Sequence, residues 1–318
     1  MLGVFLDKDS LDLGDIDCSA LDSSLTEFRH YPSTRLEQVV ERLADAQVVI
    51  SNKVMLTAAT LEQAPQLKLI CVAATGTNNV DLKAAAQRGI TVCNCQRYST
   101  PSVVQHVFAL LLALFTRLPD YHRAVQEGRW QTAAQFCLLD FPIRELAGKT
   151  LGIVGYGELG KAVARLAEAF GMQVLIAQRP GTVEPQEGRI PLHTLLPQVD
   201  VLTLHCPLTP ATRGLIGEGE LALMRRDAVL INAARGGIVD ELALAKALRR
   251  GALGGAGVDV LTEEPPVHGN PLLEPDSPNL IVTPHSAWGS REARQRLVHQ
   301  LAENIHGFLT GQPVRVVV

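Results

Sequence analysis

Three residues late in the chain carry side chains that together suit proton and anion chemistry: Arg235, Glu264 and His285. An imidazole titrates near neutrality and can give or take a proton. A carboxylate beside it fixes the tautomer and favours the charged ring. A guanidinium offers a planar fork that matches a carboxylate. Each residue follows a short aliphatic run: Arg235 in AARGG after residues 228–232, Glu264 in the loop after Gly255–Val258, and His285 in PHSAW after residues 279–283. The set fits reduction of a 2-oxo acid. Arg235 would grip the carboxylate, His285 would protonate the carbonyl oxygen as a hydride reaches carbon, and Glu264 would hold the imidazolium. In the reverse direction His285 is the base.

The hydride needs a donor, and Gly155-Tyr156-Gly157-Glu158-Leu159-Gly160 supplies a place for one. This GxGxxG run follows the apolar stretch LGIVG directly and opens a helical pattern over 159–170, the context of the dinucleotide fingerprint. Gly155 permits the tight turn, Gly157 lets the backbone approach a pyrophosphate, and Gly160 lets helix and strand pack closely. The helix N-terminus adds open amides and a partial positive charge. The next strand should end in a carboxylate for the adenosine ribose, but the chain has Gln178 followed by Arg179. A carboxylate would repel a 2′-phosphate, whereas Arg179 would pair with it, so the expectation leans to NADP(H), with NAD(H) also usable. Asp259 ends a buried run and is placed either to anchor a nicotinamide carboxamide or to tune the catalytic cluster. His205, Cys206 and Pro207 form another strand-end loop shaping the cofactor pocket; no motif gives Cys206 a base that would make it a nucleophile.

These groups must be held by a scaffold, and the rest of the chain describes one. Short aliphatic runs at 3–6, Val48–Ser51, Leu69–Val72 and 90–93 alternate with helical patterns at 34–44 and Leu82–Gln87. A second series follows at Thr150–Val154, 173–177, 200–205, 228–232, Gly255–Val258 and 279–283, with helices at 159–170 and Glu241–Arg249 among them. Such alternation implies an α/β chain with two doubly wound parallel sheets. A seam falls near 99–102, and the amphipathic segment 291–308 is expected to return to the first unit. The predicted division is 1–99 with 290–318, and 100–289.

Composition narrows the partners. Hydrophobic residues make up 47%, charged residues 19% and aromatics 4%, so the cores are aliphatic. A net charge of -4 without blocks of like charge argues against nucleic acid. The longest uncharged stretch, 98–116, has too short an apolar part to cross a bilayer and is read as a buried or subunit-contacting helix. No signal-peptide pattern is present, and six cysteines without CxxC spacing suggest reduced thiols in the cytoplasm. Cys93 and Cys95 are read as facing opposite sides of a strand, so no metal site is expected.

With these motifs assembled, the chain resembles the D-isomer-specific 2-hydroxyacid dehydrogenase family over essentially its whole length. The resemblance is carried by AATGTNNVD (73–81), GIVGYGELG (152–160), HCPLTPATRGLIG (205–217), INAARGGIVDE (231–241), GVDVLTEEPP (257–266) and TPHSAWGSREA (283–293). Stretches such as ISNKVML and FCLLDFPIRELAGKT are similar to bacterial glycerate dehydrogenases, also called hydroxypyruvate reductases. The resemblance implies two Rossmann-like domains with a cleft between them, the catalytic one discontinuous, and a homodimer built largely on the nucleotide domain. It implies reduction of hydroxypyruvate or glyoxylate, with Arg235 binding substrate and Glu264 paired to the acid/base His285. It also places the substrate carboxylate on backbone amides of Thr75 and Gly76. Glu158, Leu159, Gln178, Ala233, Ala234, Arg235, Asp259, His285, Ala287 and Trp288 match cofactor-contacting positions. Lactate-type reduction, or a dinucleotide-sensing corepressor on the same fold, are the competing expectations.

Overall fold

The computed structural model describes residues 1–318 apart from Val183, Pro185 and Asp276. The chain divides into two compact units, Met1–Ser99 with Trp288–Val318, and Thr100–Ala287.

The first unit contains strands β1 (Leu2–Phe5), β2 (Glu27–His30), β3 (Val48–Ser51), β4 (Leu69–Val72) and β5 (Thr91–Cys93), with short helices α1 (Ser19–Asp22), α2 (Val39–Leu43), α3 (Ala58–Glu62) and α4 (Leu82–Gln87). All five strands are parallel, in the order β2-β1-β3-β4-β5. Every residue of β3 and β4 is buried, which explains their mainly aliphatic sequences. Asp81 starts α4 by accepting the Ala84 amide at 2.9 Å.

The second unit contains α5 (Thr100–Thr116), α6 (Leu118–Gln126), β6 (Thr150–Val154), α7 (Glu158–Ala169), β7 (Gln173–Ile176), α8 (Leu192–Leu195), β8 (Val201–Leu204), α9 (Glu218–Leu223), β9 (Val229–Asn232), α10 (Glu241–Arg249), β10 (Gly255–Val258) and β11 (Leu280–Val282). Its six strands are also all parallel, in the order β11-β10-β9-β8-β6-β7. The order reverses at β6, whose neighbours are β7 and β8. α5 buries Val103, Val107, Phe108, Leu110, Leu111 and Leu114. It lies close on β10, because a Cβ at Gly257 would come within 3.0 Å of the Leu110 Cβ. Among the described residues, no single helix is long and apolar enough to cross a membrane.

The chain re-enters the first unit as α11 (Arg291–Leu309). Its Leu297, Leu301 and Ile305 pack on one face of that sheet, with Phe5, Ile50, Leu69 and Cys71. Leu43, Leu61 and Ala85 cover the other face, over Val4, Val49, Ile70 and Val92. The tail then runs antiparallel to β5, where the Val92 amide donates to the Val318 carbonyl oxygen at 2.8 Å and the Val92 carbonyl oxygen accepts the Val317 amide at 2.7 Å.

Three sequence expectations need correction. β2 was not foreseen, because EFRH is an edge strand with no apolar run and no fully buried residue. The helix expected over 34–44 is a 3-10 turn at Leu36–Gln38 followed by the short α2. Cys93 and Cys95 do not face opposite sides: both lie at 0% exposure in the core beneath α11, because residues two apart along an extended chain share a face. Burial pushes the Cys93 thiol up to about 11 and the Cys95 thiol up to about 12. Cys18, Cys71 and Cys206 are buried too, and Cys137 is half-buried. Among the described residues, no group of His, Cys, Asp and Glu is placed to hold a metal ion.

Candidate active site

Because all strands of the second unit run the same way, the loops after β6, β7, β8, β9, β10 and β11 emerge at one edge. The reversal of strand order lies between β6 and β8, where ligands bind in open α/β sheets. Gly155 follows β6 there with φ +95°, and an added Cβ would lie 2.5 Å from the His205 carbonyl carbon and 2.6 Å from the Cys206 nitrogen. Two backbones pass in contact, so no side chain is possible. Gly160 is constrained in the same way, its Cβ position being 2.2 Å from the Gly155 oxygen.

Gly157 is different. Its φ is -83°, and a Cβ would meet no protein atom within 4 Å. Packing within the protein therefore does not require this glycine, whereas a ligand pressed on the backbone would. No side chain caps α7. Among the described residues, the amides of Leu159 and Gly160 donate to nothing, and the helix dipole adds positive potential. The Glu158 carboxylate is drawn aside to the Thr100 hydroxyl at 2.6 Å. This cradle fits a pyrophosphate.

The turn after β7 carries no carboxylate. Gln178 is half-buried, and its Nε2 donates to the carbonyl oxygens of Thr182 at 3.1 Å and Glu184 at 2.6 Å. Its side chain is thus engaged with the backbone of Thr182 and Glu184. Arg179 is exposed, and its guanidinium has no partner among the described residues. After β8, His205 Nε2 meets the Thr203 hydroxyl at 3.0 Å, while its Nδ1 is buried without a partner among the described residues. Burial pushes this imidazole down to about 4 and the Cys206 thiol up to about 11. Cys206 therefore carries negligible thiolate at neutral pH, which removes it as a nucleophile. The Pro207 carbonyl oxygen accepts the Thr212 hydroxyl at 2.6 Å and closes the loop.

His285 and Glu264 come together as the sequence suggested. Nδ1 of His285 lies 2.6 Å from Oε2 of Glu264, and Oε1 of Glu264 accepts the Leu261 amide at 2.8 Å. A carboxylate is acceptor-only, so Nδ1 carries the proton and Nε2 is left for a ligand. His285 adopts left-handed backbone geometry, φ 53°, which costs a non-glycine residue about 1–2 kcal/mol. Asp259, 1% exposed, holds it there. Its carbonyl oxygen accepts the His285 amide at 2.8 Å, and its carboxylate accepts the Ser286 and Ala287 amides, each at 3.0 Å. The Thr283 hydroxyl donates to the same carboxylate at 2.6 Å. Charge-assisted bonds contribute about 1.5–3 kcal/mol each, enough to outweigh the strain. These contacts make Asp259 the organiser of this turn.

Arg235 is held by a residue that the sequence reading missed. Asn232, 2% exposed at the end of β9, donates to the Arg235 carbonyl oxygen at 3.0 Å and accepts the Ala234 amide at 3.1 Å. That carboxamide bridges Ala233, Ala234 and Arg235 into one turn. Gly236 brings the turn against the loop carrying Glu264, since its Cβ position is 1.9 Å from the Leu261 oxygen. The guanidinium is half-buried, donates to the Ala234 carbonyl oxygen at 2.7 Å, and forms no ion pair among the described residues. Thr283 and Asn232 were missed for the same reason: each is one polar residue closing an apolar strand, and its partners lie outside that strand.

The remaining expected site residues belong to the first unit. Thr75 and Gly76 follow β4 at the C-terminal edge of that sheet. The Thr75 hydroxyl donates to the Cys95 carbonyl oxygen at 2.8 Å, and Asn94 donates to the Thr75 carbonyl oxygen at 2.8 Å. Among the described residues, the Thr75 and Gly76 amides donate to nothing. Trp288 packs against the core of this unit, edge-on to Tyr98 at 6.3 Å between ring centres.

A dinucleotide cradle and an imidazole–carboxylate pair at one sheet edge define a nicotinamide-dependent oxidoreductase. Comparison with known proteins narrows the class. The model of the D-isomer specific 2-hydroxyacid dehydrogenase NAD binding domain matches residues 108–287. The chain is 50% identical to a glycerate dehydrogenase of Methylorubrum extorquens, over 99% of this chain and 98% of that one. It is 38% identical to a hydroxypyruvate reductase of Blautia hydrogenotrophica, over 99% of this chain and 98% of that one. Among solved structures, an NADPH-dependent glyoxylate/hydroxypyruvate reductase from Sinorhizobium meliloti, in complex with NADP and malonate, superposes with a TM-score of 0.83 at 29% identity, covering 100% of this chain and 96% of that one. This chain belongs to the D-isomer-specific 2-hydroxyacid dehydrogenase family.

Proposed function

We propose that the protein reduces hydroxypyruvate and glyoxylate to D-glycerate and glycolate with a nicotinamide dinucleotide, and catalyses the reverse oxidations. The observation that carries this reading is the His285–Glu264 pair, 2.6 Å apart, which leaves Nε2 free at the same sheet edge as the glycine cradle. The names of the related proteins support the substrates. The bound dinucleotide supplies the hydride. His285 donates the Nε2 proton to the carbonyl oxygen as it gains charge, and Glu264 stabilises the imidazolium through Nδ1–H. Arg235, in no ion pair among the described residues, takes the substrate carboxylate by its fork. On the first unit, the open Thr75 and Gly76 amides are donors for a carboxylate.

Gly155, Gly157, Glu158, Leu159 and Gly160 hold the pyrophosphate; Cys206, Pro207, Ala233, Ala234, Asp259, Ala287 and Trp288 complete the cofactor-contacting set. NADPH is preferred over NADH, supported by Gln178 where a carboxylate would repel a 2′-phosphate, and by the exposed Arg179 guanidinium, which has no partner among the described residues. Gln178→Asp is expected to shift the ratio of kcat/KM values towards NADH by about tenfold or more. An unchanged ratio would show that position 178 does not face the ribose.

Turnover with hydroxypyruvate, glyoxylate, pyruvate and 2-oxoisocaproate, followed by loss of dihydronicotinamide absorbance, tests the substrate class. Faster reduction of the first two supports the reading; preference for either of the others overturns it. His285→Ala is expected to lower kcat by about a hundredfold or more, with little change in dinucleotide affinity.

The protein functions as a homodimer in the cytoplasm. Support for the dimer comes from the exposed apolar side chains of Leu118, Trp130, Phe136, Leu139 and Ile143 in the second unit. Light scattering after size exclusion tests it: a monomeric mass would overturn it.

A further inference from the structure

The turn carrying His285 is held from a second direction, by α5. Ser102 and His106 lie four residues apart on that helix, so they share a face. The Ser102 hydroxyl donates to the Ala287 carbonyl oxygen at 2.7 Å, and His106 Nε2 meets the Thr283 hydroxyl at 3.0 Å. The helix thus grips both ends of the 283–287 segment. His106 Nε2 also lies 3.4 Å from Asp259 Oδ1.

The proton positions follow from the hydroxyl. Thr283 has one proton, and the 2.6 Å contact to Asp259 Oδ1 uses it. Its oxygen can therefore only accept from His106, which fixes the Nε2–H form of that ring. His106 thus donates to the Thr283 hydroxyl at the edge of the buried carboxylate cluster. Asp259 Oδ1 receives Thr283 and Ser286 directly, with the His106 N–H beside them.

We propose that His106 is a positioning residue for the reaction: through Thr283 and Asp259 it holds the left-handed turn that aims His285. The proposal rests on the reading of His285 as the acid/base. His106 touches neither substrate nor cofactor in this account. Its effect reaches chemistry only by keeping the Asp259 carboxylate oriented towards both amides. A second His–carboxylate contact, behind the Glu264–His285 pair, then sets how often the turn adopts its productive geometry.

The test uses His106→Leu, which keeps bulk and removes the donor, and His106→Gln, which returns an N–H near the Nε2 position. His106→Leu is expected to lower kcat with hydroxypyruvate by about tenfold to a hundredfold, while dinucleotide Kd from fluorescence titration changes less than about threefold. His106→Gln is expected to recover most of the loss. Thr283→Val breaks the same relay from the other end and remains informative if the leucine variant fails to fold. The decisive comparison is in the His285→Ala background, where His106→Leu is expected to cost nothing further.

Equal damage from Leu and Gln would assign His106 to packing, and kcat within about twofold of wild type for the leucine variant would overturn the proposal. So would an undiminished His106→Leu effect in the His285→Ala background. Failure of the underlying reading is separately visible, as a His285→Ala protein that retains full kcat.

Discussion

Glu264→Gln tests the proton logic of the site more sharply than deletion does. Oε1 of Glu264 accepts the Leu261 amide at 2.8 Å, and Oε2 faces Nδ1 of His285 at 2.6 Å. A glutamine has one oxygen and one NH2 for these two places. With its oxygen on Leu261, the NH2 points at Nδ1 and selects the ring tautomer protonated on Nε2. With its oxygen on His285, the NH2 opposes the Leu261 N–H. Such a donor–donor conflict costs about 1–3 kcal/mol, so the first arrangement wins. A bias of about 2 kcal/mol leaves a few per cent of the rings able to accept a proton at Nε2, a loss of about thirtyfold. The missing charge removes further stabilisation of the imidazolium. That part is discounted for solvent screening, because the two side chains are 25% and 33% exposed, to about tenfold.

D-glycerate oxidation, where His285 must accept the proton, is therefore expected to fall by about a hundredfold to a thousandfold in kcat. Glu264→Ala leaves the tautomer unbiased and is expected to cost only about tenfold to thirtyfold in that direction. Glutamine, the closer mimic, should be the worse enzyme. The assay is initial-rate spectrophotometry of oxidation and reduction for both variants at saturating cofactor. If the glutamine variant oxidises D-glycerate as fast as the alanine variant or faster, the assignment of Nδ1 as the protonated nitrogen is wrong.

Two glycines offer a contrasting pair. Gly157→Ala adds a Cβ that meets no protein atom within 4 Å, so unfolding free energy should move by less than about 0.5 kcal/mol while dinucleotide Kd rises about tenfold or more. Gly236→Ala drives a Cβ to 1.9 Å from the Leu261 oxygen and should cost about 1–3 kcal/mol of stability along with kcat. Urea denaturation and cofactor titration of both variants check this, and a destabilised Gly157→Ala would refute the ligand-cradle reading. His205 predicts an acid sensitivity. The unfolded ring binds a proton near 6.5 while the folded ring resists to about 4, so the unfolded chain binds more protons between those values. The stability contributed by the neutral ring is complete above that window and is lost as pH falls through it, by up to about 3 kcal/mol near pH 4. His205→Gln should flatten the pH dependence of the urea midpoint; an unchanged slope would refute it.

Legibility in the sequence followed burial. β3, β4, β8 and β9 are buried at every residue and read as mainly aliphatic runs, so their existence and parallel pairing could be anticipated. β2 could not, because an edge strand faces solvent and the polar residues of EFRH carry no period. The segment from 34 to 44 has helical spacing but divides between a 3-10 turn and a single α-helical turn, a distinction that apolar spacing does not encode. In the site, the glycine run and the order of Arg235, Glu264 and His285 were readable because each sits in a loop that follows a strand. Asn232, Thr283 and His106 were not. Each acts by a polar contact to a different segment of the chain, and its type alone reads as a strand end or an ordinary helix position. The Cys93–Cys95 error was one of parity, not of hydrophobicity.

The burial of the thiols has a practical consequence for labelling. Alkylating reagents attack the thiolate, and five of the six cysteines are enclosed, with Cys18, Cys93, Cys95 and Cys206 also pushed up to about 11 or 12. Cys137 alone is partly open, and it lies between the exposed Phe136 and Leu139. A maleimide dye added to the unmodified protein should therefore settle on one position. A fluorophore there would report association of two chains without any prior removal of cysteines.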